Sequence, residues 1–443
     1  MQNINKKKYE IETGTVTETG LSGLKIVKVL SPEMRQQAKI AYSCRKAKLE
    51  GALTLVAGDI APSTGNLVLT RVDELGQHME IESSTGWRHI LFPGDLIIVC
   101  YGRLYAPDQF EVELPLDLSS CHLVAAGGIA SKVVSKHSAI RPATKITPIG
   151  LIGDNLGNPL NIADWALKPK KRRQASSSSS RSLKKRTPTI AVLGTSMNAG
   201  KTTSAAFLIR GLAAAGLNVG AAKITGTGSP RDVHFMKDAG AELVLDFIDA
   251  GYPSTYQITN TQLESTFKLL MNHLEAAGVD IIVLEIADGI FQKETRSLCR
   301  SQMASENIGG VIFAAGDALG AVYGSKWLCE QGLKVVGLSG LFTRSEPANK
   351  GTQASTDRPV CTLHMLSPEQ IVDLIGFNCS MFENHEYKLL SLWSMRYKLL
   401  LELIVISFFQ ASVVIASLLL ASKFRDLVRL RDTGRDIVFP AKK

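Results

Sequence analysis

The sequence lacks the cysteine pattern of a disulfide-stabilised or zinc-binding protein. Its seven cysteines are widely spaced, and none belongs to a C-x-x-C pair. An odd, scattered set predicts reduced thiols, as in a cytoplasmic protein. The eight histidines show no H-x₃-H spacing, so no histidine metal site is predicted. The first ten residues are polar and lysine-rich without an apolar run, and no signal peptide is expected.

Outside one short segment, the sequence also has little excess positive charge. The formal net charge is +9, and residues 168–186 carry nine basic side chains and no acidic one. The remainder is therefore close to neutral, and a general basic surface for nucleic acid is not supported. A run of serines, 176–180, lies between the basic clusters. We predict a solvated linker at 168–188, with a polybasic contact for membrane or nucleic acid as the alternative.

The composition is that of a folded protein with more than one domain. The chain has 443 residues, of which 45% are hydrophobic and 21% charged. This length predicts two or three domains. The boundaries we predict are a β-rich domain at 1–167, the linker at 168–188, an α/β domain at 189–376 and a tail at 377–443.

The region 1–167 contains short β-type segments separated by turn residues, a pattern typical of a small barrel or sandwich. Strands are predicted at 53–60, 66–72, 79–82, 88–92 and 95–101. One helix is predicted at 32–49. Ser31 would be its N-cap and Pro32 its first residue.

From residue 189 onwards, apolar strands alternate with helices, which predicts a parallel sheet covered on both faces. The predicted strands are 189–193, 218–224, 280–286, 310–314 and 334–338, and the helices are 201–214, 261–277 and 319–331. A strand at 359–365 and a helix at 368–375 are predicted to close this domain. The expected fold class is therefore α/β, with a parallel-sheet domain preceded by a smaller β-rich domain.

A glycine-bounded loop connects the first of these strands to the first helix, as in a phosphate-binding P-loop. The predicted nucleotide-binding residues are Gly194, Thr195, Ser196, Met197, Asn198, Ala199, Gly200, Lys201, Thr202 and Thr203. Lys201 is predicted to be catalytic through its charge on the β- and γ-phosphates, and the hydroxyl of Thr202 to bind Mg²⁺. The spacing G-x₅-G-K-T is one residue longer than the common G-x₄-G-K-[ST], and an ordinary glycine-rich turn is the alternative.

Further site residues are predicted at the ends of two strands, because strand C-termini lie on the phosphate side of a parallel sheet. Glu285 ends an apolar strand and is the preferred carboxylate for Mg²⁺, with Asp288 as second choice. Lys223 ends another strand and is predicted to contact the transferred phosphoryl group or an acidic substrate. Asp232 is a further metal candidate. The alternatives are a turn carboxylate without metal and a lysine that extends to the surface.

Two other chemistries are not supported by the sequence. Residues 349–352 resemble the guanine-reading motif N-K-x-D, but Thr352 replaces its acid. Guanine specificity is therefore not predicted, and ATP is the expected nucleotide. No nucleophile elbow or catalytic triad is found.

The segments 194–203, 222–228 and 284–289 carry a family resemblance. The loop resembles that of dethiobiotin synthetases, P-loop enzymes that use ATP and Mg²⁺ to activate a carboxyl or carbamate group as a mixed phosphate anhydride. The resemblance implies that Lys223 contacts substrate and phosphate and that Glu285 binds metal. The three segments are also similar to a largely uncharacterised bacterial family with a C-terminal P-loop domain of unknown function. Some of its broader group are tied to N-acylation or ligation of D-amino acids.

The sequence departs from dethiobiotin synthetases within the loop, where Ser196, Met197 and Asn198 replace Asp, Thr and Glu. The substrate is therefore predicted only as a small carboxylate or amino-acid-type molecule, and a homodimer is left open. The alternative function is a nucleotide-dependent switch or adaptor, similar to molybdopterin-guanine-dinucleotide adaptor proteins.

An uncharged apolar segment lies at 403–421 in the tail. As a helix it would be about 28 Å long, near the thickness of the bilayer hydrocarbon. Basic residues follow it, at 423, 425, 429, 431 and 435, and these favour the cytoplasmic side and argue against a single crossing. Three interpretations remain, namely a membrane span, an interfacial helix and a helix buried against protein.

Overall fold

The computed structural model describes residues 11–12, 15–20, 23–170 and 186–363. These residues all belong to one compact unit, Met1–Phe382. The predicted helix 368–375, the tail 377–443 with its segment 403–421, and residues 171–185 of the linker lie outside the described residues. Within the described ranges, no helix has the length and apolarity needed to cross a membrane.

The N-terminal part is rich in β-structure, as predicted. Its helix is α1 (Pro32–Gln37), and its strands are β1 (Ile11–Glu12), β2 (Thr15–Gly20), β3 (Gly23–Val29), β4 (Lys39–Ile40), β5 (Thr54–Gly58), β6 (Leu67–Glu74), β7 (Glu80–Glu82), β8 (Arg88–Ile90), β9 (Leu96–Tyr101), β10 (Leu104–Tyr105), β11 (Phe110–Glu113), β12 (Cys121–Ala125), β13 (Ile129–Lys136) and β14 (Thr144–Gly153). The five predicted strands correspond to β5, β6, β7, β8 and β9.

Five of these strands close into a barrel. Strand β6 pairs with β14 and β9, β9 pairs with β13, and β12 joins β13 to β14. Alternate residues of β9, Ile97, Val99 and Tyr101, pack into one buried cluster, whereas Ile98 and Cys100 pack into another on the opposite face. This alternation is the period of two that a strand imposes on its side chains. Of the two predicted architectures, the structure has the barrel.

The predicted helix 32–49 is wrong beyond its first turns. Helix α1 begins as expected, with the Ser31 hydroxyl accepting a hydrogen bond from the Met34 N–H at 3.2 Å. It ends at Gln37, and Lys39–Ile40 then pairs with β9. Tyr42–Cys44 forms a buried 3₁₀ turn. Pairing with the barrel and burial of Tyr42 therefore override the local helix preference, which is a weak determinant.

The second part is a parallel sheet with helices between its strands. The strands are β15 (Thr189–Gly194), β16 (Val219–Thr225), β17 (Leu243–Asp246), β18 (Ile281–Ile286), β19 (Gly310–Ala315) and β20 (Val335–Gly340). The helices are α2 (Lys201–Ala214), α3 (Pro230–Asp238), α4 (Asn260–Ala277), α5 (Lys293–Cys299), α6 (Gln302–Asn307), α7 (Ala318–Glu330) and α8 (Glu346–Ala354).

The strand order is β17-β16-β18-β15-β19-β20, and all pairs are parallel. The predicted α/β fold class is confirmed. The five predicted strands between 189 and 338 and the helices α2, α4 and α7 are present within a few residues of their expected bounds. The predicted strand 359–365 is wrong over its described residues, 359–363, where Val360 makes only an isolated bridge with Leu338 of β20. Strand β15 lies inside the sheet between β18 and β19, so the loop that follows it opens where ligands bind in such sheets, at the strand C-termini.

Leu167 and Lys168, at the boundary predicted between the β-rich domain and the linker, contact the parallel-sheet domain. The Leu167 N–H donates to the Asp249 carbonyl at 2.8 Å, and the His273 ring lies 2.8 Å from the Lys168 carbonyl. In the part of the chain that the structure describes, the cysteines Cys44, Cys100, Cys121, Cys299, Cys329 and Cys361 are free thiols.

Candidate functional site

The loop after β15 makes a tight turn that depends on left-handed backbone conformations. Gly200, the N-cap of α2, has φ 98°, and Asn198 has φ 62°. Glycine adopts this region freely, and asparagine does so more readily than most residues. Helix α2 begins at Lys201, and its first N–H groups have no partners within the helix. They therefore face the loop as donors for an anion.

Close packing around the loop leaves no room for side chains at three glycines. A Cβ atom at Gly194 would lie 2.7 Å from the Lys201 side chain. One at Gly289 would lie 2.4 Å from the Thr195 carbonyl oxygen, and one at Gly340 2.5 Å from the Ala199 carbonyl oxygen. The sequence pattern identified Gly194. It gave no role to Gly289, although Gly289 ends the segment 284–289 that carries the family resemblance, and it missed Gly340, whose signal is its place at the end of β20.

The Lys201 side chain lies inside the phosphate loop, where it is predicted to contact the β- and γ-phosphates. Its side chain is buried, and its ammonium donates to the Ser196 carbonyl at 2.7 Å. Burial lowers the pKa of Lys201, and the nearby carboxylate of Glu285 only partly opposes this shift. The charge is thus held in a place where an anion would stabilise it further.

Glu285 and Thr202 are brought together as the sequence predicts. The Thr202 hydroxyl donates to Glu285 Oε1 at 2.8 Å. Glu285 is only 1% exposed, and its Oε2 atom has no hydrogen-bond partner in the part of the chain that the structure describes. Burial, followed by the nearby Asp232, raises the pKa of Glu285. A buried carboxylate with an unused oxygen costs free energy unless a cation or donor satisfies it.

This oxygen set fits a magnesium ion bound together with a nucleotide. Magnesium prefers oxygen ligands and typically takes only one or two from protein, with phosphates and water completing its coordination. The hydroxyl of Thr202 and the free oxygen of Glu285 would supply them. Among the described residues, no group of three or more His, Cys, Asp or Glu side chains is arranged to hold a metal ion by itself.

Lys223 lies next to Glu285 in the sheet, because β16 and β18 pair these residues in register. Its ammonium forms an ion pair with Asp232 of α3. Burial alone would lower the pKa of Lys223, but the charges of Asp232 and Glu285 reverse this effect and raise it. The structure therefore pairs the lysine with a carboxylate and does not direct it to the surface. The role of Asp232 as a metal ligand stays a prediction.

Asp288 completes the group of charges near the loop. It is half-buried, and burial raises its pKa while Lys201 and Lys223 act in the opposite direction. Two lysines and three carboxylates thus share a poorly solvated region at the strand ends. In such surroundings their interactions are stronger than at a surface.

The β-rich domain lies against the same edge of the sheet. Asn198 Nδ2 of the loop donates to Asp108 Oδ2 at 2.8 Å. The Tyr105 ring stacks on that of Tyr256, with 5.6 Å between centroids. A Cβ atom at Gly127 would lie 2.0 Å from the Gly228 carbonyl oxygen. The β-rich domain therefore contacts both the phosphate loop and the turn after β16. Sequence reasoning found none of these contacts, since they join distant segments.

No protein-family model matches the chain, and no curated protein matches it. Among solved structures, the chain is similar to the signal recognition particle receptor FtsY from Elizabethkingia anophelis at 15% identity and TM-score 0.28, covering 40% of this chain and 58% of that one. A ParA family ATPase from Chlorobium tepidum TLS shows 12% identity and TM-score 0.26, with 47% and 99% covered. The septum site-determining protein MinD complexed with Mg-ADP, from Pyrococcus horikoshii OT3, shows 16% identity and TM-score 0.27, with 46% and 94% covered.

The chain spans 58% of the FtsY chain's length. The class of protein is defined by the fold and the loop of this chain. A parallel sheet, a glycine-bounded loop and a helix that begins at Lys201 form the nucleotide-binding fold of P-loop NTPases.

Proposed function

We propose that this protein is an ATP- and Mg²⁺-dependent, ligase- or kinase-like enzyme. It activates a small carboxylate or amino-acid-type substrate by phosphoryl transfer. The observation that carries the proposal is the ion pair of the buried Lys223 with the half-buried Asp232, beside Glu285 at the strand ends. A phosphate loop alone needs no such second lysine.

The loop and its lysine provide the phosphate contacts. The N–H groups at the start of α2 and the ammonium of Lys201 would bind the triphosphate and stabilise charge on the transferred group. Thr202 and Glu285 would hold Mg²⁺, which when bound neutralises phosphate charge. The unpartnered, buried Oε2 atom of Glu285 supports this assignment.

Lys223 would orient the acceptor. Its raised pKa, which Asp232 and Glu285 maintain against burial, keeps the ammonium charged at neutral pH, and a charged ammonium attracts a carboxylate. An acceptor carboxylate oxygen attacks the γ-phosphorus, and the bond from that phosphorus to the β–γ bridging oxygen breaks. The products are an acyl phosphate and ADP. The resemblance to dethiobiotin synthetases supports this reaction class.

The second candidate is a nucleotide-dependent switch or adaptor without small-molecule chemistry. One contact favours it, the hydrogen bond between Asn198 in the phosphate loop and Asp108 in the β-rich domain. Through this contact, the nucleotide state of the loop would reach the surface of another domain. Slow hydrolysis and nucleotide-dependent partner binding are expected for such a protein.

The test is ADP release by the full chain, measured with a panel of small carboxylates and amino acids. We expect one compound to stimulate release strongly, whereas stimulation only by a protein would favour the switch. Lys201→Ala should lower turnover by about 100-fold or more. The matched control is Lys326→Ala, which removes an exposed lysine of α7 and should leave turnover unchanged. Unchanged turnover in Lys201→Ala would contradict the proposed function.

A further inference from the structure

One residue of the β-rich domain contacts the phosphate loop through its side chain. Asp108 lies in the turn between β10 and β11, and its carboxylate accepts a hydrogen bond from the side-chain amide of Asn198 at 2.8 Å. Both residues are exposed, so this contact belongs to the accessible rim of the site and not to a packed core.

Asn198, the partner of Asp108, lies in the left-handed turn of the phosphate loop. Asn198 has φ 62° and Gly200 has φ 98°, so two left-handed residues flank Ala199. The Ala199 carbonyl accepts a hydrogen bond from the Leu341 N–H at 3.1 Å. The turn is thus fixed on one side by its own domain and on the other by the β-rich domain. Left-handed asparagine is uncommon and persists where its surroundings hold it.

The turn that carries Asp108 is itself well anchored. The Ala106 N–H donates to the Phe110 carbonyl at 2.9 Å, and the Gln109 N–H donates to the Ala106 carbonyl at 2.8 Å. Phe110 is 1% exposed, and the Tyr105 ring stacks on Tyr256 of the parallel-sheet domain. Asp108 is therefore presented from a fixed position, as a positioning contact requires.

We propose that Asp108 is a positioning residue of the nucleotide site. It holds Asn198 in the left-handed conformation that turns the loop N–H groups towards the phosphates. The β-rich domain then contributes a residue to the nucleotide site. This inference rests on the proposed nucleotide binding.

The experiment compares nucleotide binding and turnover among full-length variants. MgATP is titrated into the wild type, Asp108→Ala, Asp108→Asn, Asn198→Ala and the double variant Asp108→Ala/Asn198→Ala. Asp108→Ala should raise Kd and KM about 3-fold to 10-fold, the usual effect of losing one hydrogen bond, with a smaller change in kcat. Asp108→Asn keeps an oxygen acceptor and should recover most of the affinity. The double variant should be no weaker than the weaker single one, because both substitutions break the same contact.

Glu113→Ala is the matched control, because Glu113 is an exposed acid on the neighbouring strand β11. It should bind MgATP like the wild type, and thermal unfolding without nucleotide should be similar for all variants. If the wild type binds MgATP and Asp108→Ala binds equally well or more tightly, the positioning role is wrong while the proposed function stands. An equal loss in Glu113→Ala would also overturn it. Failure of the wild type to bind would overturn both.

Discussion

At the scale of single residues, the site contains buried charged side chains, and burying each of them costs free energy unless an opposite charge or a hydrogen bond compensates it. Glu285 is almost fully buried, yet one of its carboxylate oxygens has no partner among the described residues. Lys201 is buried, and among the described residues the hydrogen-bond acceptor of its ammonium is a backbone carbonyl, that of Ser196. Buried charges that lack full compensation are typical of a binding site, because a bound ligand supplies the missing interactions.

The hydroxyl of Thr202 should be needed for magnesium use. Thr202→Val keeps the shape of the side chain but removes the group that contacts Glu285 at 2.8 Å. The Mg²⁺ concentration for half-maximal turnover should rise about 10-fold to 100-fold. Thr202→Ser retains a hydroxyl and should stay near the wild type. A magnesium titration of ADP release measures this, and an unchanged midpoint in Thr202→Val would contradict the assignment.

At the scale of elements, the phosphate loop was predictable because its signal is local. Strand, glycines, lysine and helix follow one another within a few residues, and the structure has β15 and α2 at those places. The pairing of Glu285 with Thr202 could also be anticipated, since C-terminal strand ends share one edge of a parallel sheet.

Elements that depend on distant contacts were not predictable. Within the expected helix 32–49, Lys39–Ile40 forms strand β4 and Tyr42–Cys44 forms a 3₁₀ turn, because the first pairs with β9 and the second is buried at the domain interface. Helix α3 was missed although it carries Asp232. The hydrogen bond from Asn198 to Asp108 spans 90 positions, and no local pattern marks it.

Gly340, the last residue of β20, lies against the phosphate loop, and this close packing should be essential for nucleotide binding. Gly340 has φ 111°, and a Cβ atom there would lie 2.5 Å from backbone atoms of Ala199 and Ala315. Gly340→Ala should displace the loop and weaken MgATP binding about 10-fold or more, as misplacement by a fraction of an ångström does in sites of this kind.

The control for this substitution is Gly332→Ala. Gly332 also has a left-handed φ, 82°, but nothing lies within 4 Å of its would-be Cβ atom. Its cost should be about 1–2 kcal/mol of backbone strain without loss of nucleotide affinity. Calorimetric titration of both variants with MgATP separates a loss of nucleotide affinity from backbone strain that leaves the affinity unchanged. Equal affinities would show that Gly340 serves only the backbone turn.

At the scale of the whole molecule, a buried polar cluster joins the two domains. Arg45 of the β-rich domain forms ion pairs with Asp246 at 2.7 Å and Asp249 at 3.1 Å, and its side chain is only 12% exposed. The Tyr42 hydroxyl donates to Asp246 at 2.9 Å, and the Tyr42 ring packs with Phe247. Asp246 pairs in register with Lys223, so this interface reaches the edge of the proposed site.

Removing Arg45 should therefore destabilise the protein strongly. Arg45→Met leaves two buried carboxylates with less compensation, which costs about 3–5 kcal/mol for a buried pair. Arg71→Met is the control, because the Arg71 side chain is 56% exposed where it pairs with Asp73, and an exposed ion pair of this kind is expected to cost below about 1 kcal/mol when it is lost. Denaturant unfolding measures both free energies. Similar losses would show that the interface cluster contributes little.

The most direct test of the central claim is equilibrium binding of MgATP to the purified full-length protein. Titration calorimetry of the wild type should show one saturable site, and Lys201→Ala should bind far more weakly while remaining folded. If the wild type binds no nucleoside triphosphate in the presence of magnesium, or if Lys201→Ala binds with the same affinity, the phosphate loop does not do what we propose.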